Sequence, residues 1–163
     1  MESRLLHEGN GQRTFVVVLQ TGDEAMQALQ SFADRERIFA AQISAIGAFD
    51  QAELGYFDWE AKDYRKTPIR EQVEVASFLG DVAQAPDNKP ALHIHVVLGC
   101  RDGKALAGHL LSGRVRPTLE VIVTESPVHL RKIHDPESGL ALIQPDAEAH
   151  SGSTERVRAR SAG

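Results

Sequence analysis

The 163-residue chain has little cysteine, no long apolar run and no excess of positive charge, and each shortage excludes a class of protein. A single cysteine, Cys100, cannot form an intrachain disulfide, which argues for a reducing compartment and against a disulfide-rich secreted domain. No run approaches the roughly 20 apolar residues that a membrane-spanning helix needs, and the first residues lack an apolar signal core. We therefore expect a cytoplasmic protein without a membrane partner.

Positive charge is scarce as well. Lysine and arginine number 18 against 23 acidic residues, for a formal net charge of −5, so a broad electrostatic footprint for nucleic acid is missing. An AT-hook, which inserts an Arg-Gly-Arg-Pro core into a narrow minor groove, is missing too. The nearest string, GRVRP at 113–117, lacks the central glycine. We expect no sequence-selective binding of nucleic acid.

The composition is typical of one globular domain with a substantial core. Hydrophobic residues make up 42% of the chain and charged residues 25%. We interpret residues 1–12 as an N-terminal extension and residues 13–145 as a single domain. After residue 145 the large apolar residues give way to Ala, Glu, Ser, Gly and Arg, which predicts a disordered tail over 146–163.

Hydrophobic periodicity predicts one helix among several strands. Residues 14–20 are nearly all apolar, which is typical of a strand covered on both faces, and Thr21 with Glu24 then predicts a capping box. Apolar residues at helical spacing follow at Met26, Leu29, Phe32 and Ala33. Strands are expected over 40–49, 52–59, 73–79, 91–98, 105–115 and 118–124, a loop over 81–90, and a helical turn or strand pair over 126–142. These elements predict an α+β domain with a large, mainly antiparallel or mixed β-sheet and one main flanking helix.

Two histidines one residue apart, His93 and His95, stand in the apolar run ALHIHVVL at 91–98. Side chains two residues apart on a strand face the same side at a spacing of roughly 6.5–7 Å, so both imidazoles should leave the face opposite the apolar residues. The Asp-Gly pair at 102–103 predicts a hairpin turn that brings His109 alongside. Three imidazoles that leave one coordination position open are the ligands of a catalytic-type zinc site.

The alternative for these histidines is an ordinary structural role with common hydrogen bonds. Two glutamates are candidates for catalysis beside a metal, Glu120 and, with weaker support, Glu74. Glu120 shares a strand face with other partly polar residues, where it could orient a ligating imidazole or act as a general base. The competing interpretation of Glu120 is an ion pair at an edge or interface, and Glu74 has the same ambiguity.

The segment LHIHVVLGCRDGKALAGHLLSGRVRPTLEVIV, residues 92–123, resembles the signature half of the plants and prokaryotes conserved (PPC) domain, also known as DUF296. The strand–helix opening at 13–33 and the segments 44–49, 54–57 and 74–80 are similar to the family as well, so the resemblance covers roughly residues 13–130. It implies a compact subunit that assembles as a homotrimer. It also places the three-histidine metal set of some prokaryotic relatives on His93, His95 and His109.

The leading hypothesis is therefore a PPC-type homotrimer that holds Zn²⁺ or another divalent transition metal. If the protein is an enzyme, the open coordination position implies metal-dependent hydrolase- or lyase-type chemistry, with Glu120 or Glu74 as the base. One alternative is a non-catalytic ligand-sensing or assembly module, with a small-molecule ligand near the metal or at the subunit interface. A second alternative is a DNA-associated protein, by analogy with plant relatives that carry AT-hooks, which the acidic charge disfavours.

Overall fold

The part of the chain that the computed structural model describes, residues 1–145, contains nine strands and one helix. In chain order they are β1 (Glu2–Gly9), β2 (Gln12–Gln20), α1 (Ala25–Glu36), β3 (Ala40–Asp58), β4 (Asp63–Ile69), β5 (Val73–Gln84), β6 (Pro90–Gly99), β7 (Ala105–Glu125), β8 (Lys132–His134) and β9 (Ala141–Ile143). The expected α+β class with one main helix is confirmed. The tail expected over 146–163 lies outside the described residues. Within residues 1–145, no helix has the length and apolar character needed to span a membrane.

Seven of the strands form one sheet in the order β1-β2-β7-β6-β5-β3-β4, and every neighbouring pair in it is antiparallel. An additional antiparallel pairing joins β3 to β7. Because β3 also pairs with β5, β5 with β6 and β6 with β7, these four strands form a closed ring of pairings. The ring encloses much of the core and holds β6 between two neighbours.

Two strands are longer than the sequence predicts. The strands expected over 40–49 and 52–59 are one strand, β3, and those expected over 105–115 and 118–124 are one strand, β7. Their mutual register shifts near Gly47, Phe49 and Glu53, which marks β-bulges. A bulge adds a residue and bends a strand without ending its pairing. The polar positions that indicated chain breaks therefore lie at bends within continuous strands.

The start of α1 also differs from the expectation. Glu24 is itself the N-cap, and its side chain accepts a hydrogen bond of 2.7 Å from the backbone N–H of Gln27. Its other carboxylate oxygen accepts a 2.8 Å bond from the N–H of Gly113. The Thr21 hydroxyl donates instead to the Pro117 carbonyl at 3.0 Å, so the capping box predicted for this pair is wrong. A tertiary contact with β7 replaces the local bond.

The helix covers one side of the sheet and completes the core. Its buried face includes Leu29 and Phe32, and the Phe32 ring meets Phe15 of β2 edge-on, with the ring centroids 5.3 Å apart. The other large, fully buried side chains include Phe49, Phe78, Ile94, Leu98, Leu110 and Leu119, and these come mostly from the four strands of the ring. The inward residues of β6 are therefore fixed by packing on both sides.

Two short segments flank the expected core of the domain. Residues 2–9, interpreted from sequence as an extension, form β1, which pairs along β2 at the edge of the large sheet. Residues 132–134 and 141–143 form the separate β8–β9 pair, which agrees with the strand-pair alternative expected over 126–142. The Gln84 N–H at the end of β5 donates to the Leu130 carbonyl at 2.7 Å, and this bond ties the β8–β9 pair to the large sheet.

Candidate metal centre

The alternation of β6 sets the direction of its two histidines. Ile94 and Val96 point into the core and are buried, whereas His93 and His95 are exposed on the opposite face, as the sequence predicts. On the next strand, β7, His109 lies directly opposite His95 in the antiparallel register. Residues paired in this way present their side chains on the same face. Two adjacent strands thus carry all three imidazoles.

The turn between β6 and β7 fixes that register. Gly103 adopts a φ of +82°, in the left-handed region that glycine enters at little cost, and its N–H donates to the Cys100 carbonyl at 3.0 Å. The Cys100 N–H in turn donates to the Lys104 carbonyl at 2.7 Å. The Asp-Gly turn expected at 102–103 is therefore present and brings His109 back beside β6.

The three imidazole rings form a compact triangle. Their centroids lie 5.1 Å apart for His93 and His95, 5.2 Å for His93 and His109, and 5.5 Å for His95 and His109. One nitrogen from each ring lies within 4.8 Å of the others. Tetrahedral coordination at about 2.0–2.1 Å from a zinc ion needs nitrogens about 3.3–3.5 Å apart, so modest ring rotations would close the set around an ion.

One buried ring nitrogen in this triangle has no hydrogen-bond partner among the described residues. The Nδ1 atom of His109 is buried and unbonded among the described residues, and the ring of Tyr64 lies against the imidazole with centroids 4.9 Å apart. A buried polar atom without a partner costs free energy unless something satisfies it. A cation bound to this nitrogen would satisfy it, and the donor set of three imidazoles suits a divalent transition metal.

A carboxylate that the sequence did not single out lies beside the cluster. Asp81 is opposite His93 in the β5–β6 register, and its Oδ2 is 3.5 Å from the His93 Nδ1. Its Oδ1 is 3.3 Å from the Nζ of Lys132 on β8. Carboxylates that face the far nitrogen of a ligating histidine orient the ring and fix its tautomer, which leaves Nε2 of His93 free to ligate. The loop expected over 81–90 is wrong at its start, because β5 continues through Gln84.

The electrostatics of the cluster favour the neutral forms of His95 and His109 and the ionised form of Asp81. Burial, together with the neighbouring charges of His93 and His95, lowers the pKa of His109 to about 4. Burial and the charge of His93 also lower the pKa of His95. Burial alone would raise the pKa of Asp81, but the close approach of the His93 imidazole and the charge of Lys132 outweigh that effect and lower it. Neutral imidazole is the form that binds metals.

The depressed pKa of His109 predicts a pH-dependent stability of the metal-free protein. Unfolded His109 would titrate near 6.5, but the folded residue titrates at about 4, so between these values the unfolded state binds more protons. The free energy of unfolding should have its full value above a pH of about 6.5. It should fall by roughly 1–3 kcal/mol as the pH is lowered to about 4. Urea unfolding of chelator-treated wild type and His109→Gln across this range measures the effect. Equal pH dependence in the two proteins would contradict it.

The two candidate glutamates lie away from the imidazoles. Glu120 is exposed on β7, where its partners in the sheet are Ile46 of β3 and Val18 of β2. Glu74 is exposed opposite Gly99, four residues beyond His95 on β6, or about 13 Å along the strand. The structure brings His93, His95 and His109 together but neither glutamate with them. The carboxylate beside the imidazoles is Asp81.

A surface cleft of ≈ 460 Å³ opens beside the imidazoles. His93 and His109 lie on its wall together with the nearly buried Lys132, and the β8–β9 pair forms the opposite side. The remaining lining residues are mostly apolar: Tyr64, Ala91, Leu92, Leu140, Ala141, Leu142 and Ile143. A ligand that reached an ion held by the histidines would therefore pass an apolar surface and one ammonium group.

Residues 6–127 match the Plants and Prokaryotes Conserved (PCC) domain, the family abbreviated PPC above. The chain belongs to this family. The PPC fold is also found in the metal-containing protein AF0104 of Archaeoglobus fulgidus, which is 38% identical, with 80% of this chain and 92% of that chain covered and a TM-score of 0.74. The PPC protein of Pyrococcus horikoshii is 28% identical, with 88% and 94% covered and a TM-score of 0.76.

A curated relative is much longer than this PPC chain. The bifunctional protein GlmU of Synechococcus sp. (strain JA-3-3Ab) is 29% identical over 150 residues, which cover 89% of this chain but only 23% of that protein. The chain thus spans less than a quarter of the length of this relative. The β8–β9 pair with Lys132 lies beyond residue 127 and outside the part that matches the PPC family.

Proposed function

We propose that this PPC protein binds one divalent transition-metal ion per chain, with Zn²⁺ as the first candidate, through His93, His95 and His109. The observation that carries the proposal is the triangle of three imidazoles whose nitrogens lie within 4.8 Å of one another. The unbonded Nδ1 of His109 and the metal content of the similar protein AF0104, named as metal-containing, support it. Three neutral nitrogen donors suit zinc and leave a fourth position open.

The open position gives the site a use beyond structural support. A zinc ion there would act as a Lewis acid toward a bound ligand, which is the basis of metal-dependent hydrolase- or lyase-type chemistry. The residues of this chain would hold His93 in its ligating orientation through Asp81 and exclude water with the apolar wall of the cleft. The same arrangement also serves a sensor that binds a small molecule without converting it. We place this activity in the cytoplasm, in keeping with the single cysteine.

The metal content of the purified protein tests the proposal. Protein isolated without chelators, or reconstituted with Zn²⁺ and dialysed, should contain about one ion per chain by plasma mass spectrometry. The bound ion should also raise the thermal unfolding temperature, because it binds only the folded state. A reconstituted protein with less than about 0.1 ion per chain would contradict the proposal.

We further propose that the protein is a homotrimer whose subunits meet on the outward face of the sheet. Ile46, Leu79, Val97 and Ile122 are large apolar side chains that this face leaves exposed. Ile122 and Leu79 both pair with Ser44, and Leu79 pairs in turn with His95, so the apolar face adjoins the metal centre. A contiguous apolar surface of this kind favours a subunit contact, and closed cyclic symmetry would cover it in every copy. The number three rests on the family resemblance.

A charge on this face should dissociate the trimer. In Ile46→Glu, the new carboxylate would lie opposite Glu120 and would have to be buried in the subunit contact. Light scattering should then give the 17.8 kDa mass of one chain, against three times that mass for the wild type. Val128→Glu changes an exposed apolar residue elsewhere and should leave the trimer intact. A monomeric wild type, or a variant with unchanged mass, would contradict the proposed interface.

A further inference from the structure

Lys132 places a buried ammonium group beside the candidate metal centre. Its side chain is only 8% exposed, and its Nζ lies 3.3 Å from Oδ1 of Asp81. The other carboxylate oxygen of Asp81 faces His93 at 3.5 Å. Lysine is seldom buried unless a partner or ligand compensates its charge. Lys132 also lines the cleft that His93 and His109 line, so its ammonium group lies close to the space where a metal ligand would bind.

The charge balance of the cleft favours an anion. Asp81 compensates Lys132, and the imidazoles are neutral when they ligate, so a divalent ion would leave two positive charges without a counterion. Among the described residues that line the cleft, Lys132 is the one lysine, and there is no guanidinium group. Phosphate groups usually require several donors, such as arginine forks or a helix N-terminus. A single ammonium and one metal position suit a carboxylate better.

The remaining surface of the cleft indicates what the carboxylate is attached to. Leu92 of β6 and Leu142 and Ile143 of β9 contribute an apolar wall, and Leu142 is 47% exposed. An aliphatic chain lying on this wall would remove apolar area of both partners from water. The volume of ≈ 460 Å³ is within the range of small-molecule sites, roughly 300–1,000 Å³.

We propose that the cleft is the binding site of a small aliphatic carboxylate, whose charged group lies between the metal's open position and Lys132 and whose chain packs against β9. This inference rests on the proposed metal binding and names the ligand class of the same site. Lys132 and β9 lie outside the residues that match the PPC family, so this specificity is supplied by the chain's own C-terminal strand pair.

Calorimetry of the zinc-loaded protein with acetate, butyrate and hexanoate tests the ligand class. Affinity should rise about two- to fourfold per added methylene, where fourfold corresponds to about 0.8 kcal/mol for a fully buried group. Hexanamide, which has the same chain without the charge, should bind at least about tenfold more weakly than hexanoate. Inorganic phosphate should bind no more tightly than acetate. Phosphate or hexanamide binding as tight as hexanoate would overturn the proposal.

Two variants locate the binding groups. Lys132→Met should lower the affinity for hexanoate by about tenfold or more and leave the metal content unchanged. Lys66→Met, a control at an exposed lysine on β4, should change neither the affinity nor the metal content. If Lys132→Met does not fold, Leu142→Ser tests the same cleft at a half-exposed side chain. It should remove the increase in affinity with each added methylene and leave the affinity for acetate unchanged. Unchanged hexanoate affinity in a folded Lys132→Met or in Leu142→Ser would overturn the proposal.

Metal analysis of the same samples distinguishes a failure of the proposed ligand class from a failure of the proposed metal binding. A wild type that holds one ion per chain but shows no carboxylate binding contradicts the ligand class alone. A wild type that takes up no metal contradicts the proposed function on which the ligand class rests. Hexanoate binding that persists after the metal is removed overturns the ligand geometry, because the carboxylate would then not use the open coordination position.

Discussion

Replacing any one of the three histidines with alanine should remove most of the bound metal. We expect His93→Ala, His95→Ala and His109→Ala each to retain less than roughly a tenth of an ion per chain after dialysis, because two imidazoles without further protein ligands hold zinc weakly. The variants should stay folded, since Ile94 and Val96 pack on the opposite face of β6. Plasma mass spectrometry measures the metal, and circular dichroism measures the fold.

The control for this series is a histidine outside the triangle. His134 is exposed on β8 and takes no part in the cluster, so His134→Ala should keep the metal content of the wild type. Full metal content in all three ligand variants would show that the ion, if present, is bound elsewhere.

The second large effect concerns a backbone position that holds the site together. A Cβ added at Gly80 would lie 2.4 Å from the His93 carbonyl oxygen and 2.7 Å from Cγ1 of Ile94. The contact with the carbonyl oxygen cannot relax without separating β5 from β6, because that atom belongs to the backbone of the neighbouring strand. Gly80→Ala should therefore lower the free energy of unfolding by about 3 kcal/mol or more and weaken metal binding by at least about tenfold.

Gly99 provides a matched control in the same pair of strands. A Cβ there would meet its nearest neighbours, both in Glu74, at an ordinary 3.8 Å. Gly99→Ala should therefore change stability by less than about 1 kcal/mol. Urea unfolding and zinc titration of both variants measure the two effects. A Gly80→Ala protein that matches Gly99→Ala in stability and affinity would mean that the β5–β6 pairing does not constrain His93.

The parts of the site that the sequence predicts correctly depend on local rules. The common face of His93 and His95 follows from the two-residue period of a strand, and the return of His109 follows from the Asp-Gly turn. Asp81 and Lys132 depend on which strands are neighbours and on the exact register between them. Neither neighbour nor register can be deduced from one sequence, so the sequence offers Glu120 and Glu74 as candidates, whereas the carboxylate beside His93 is Asp81.

The fold shows the same division between local and long-range information. The helical periodicity of α1 and the apolar runs of β2 and β6 predict those elements at nearly their observed bounds. The continuity of β3 and β7 through polar bends depends on bulges stabilised by pairing with each other, which local composition does not reveal. The same holds for the start of α1, where the sequence predicts a Thr21–Glu24 capping box but Glu24 alone is the N-cap. The Thr21 hydroxyl bonds instead to the carbonyl of Pro117, far along the chain, which local sequence does not reveal.

An anomalous diffraction measurement at the zinc absorption edge, on crystals of the zinc-loaded protein, tests the central claim most directly. We expect one strong peak per chain between His93, His95 and His109, with nitrogen–metal distances of about 2.0–2.1 Å and His93 bound through Nε2. We also expect a fourth coordination position that opens toward Lys132. A loaded crystal with no peak at this triangle, or with its peak at other residues, would contradict the account.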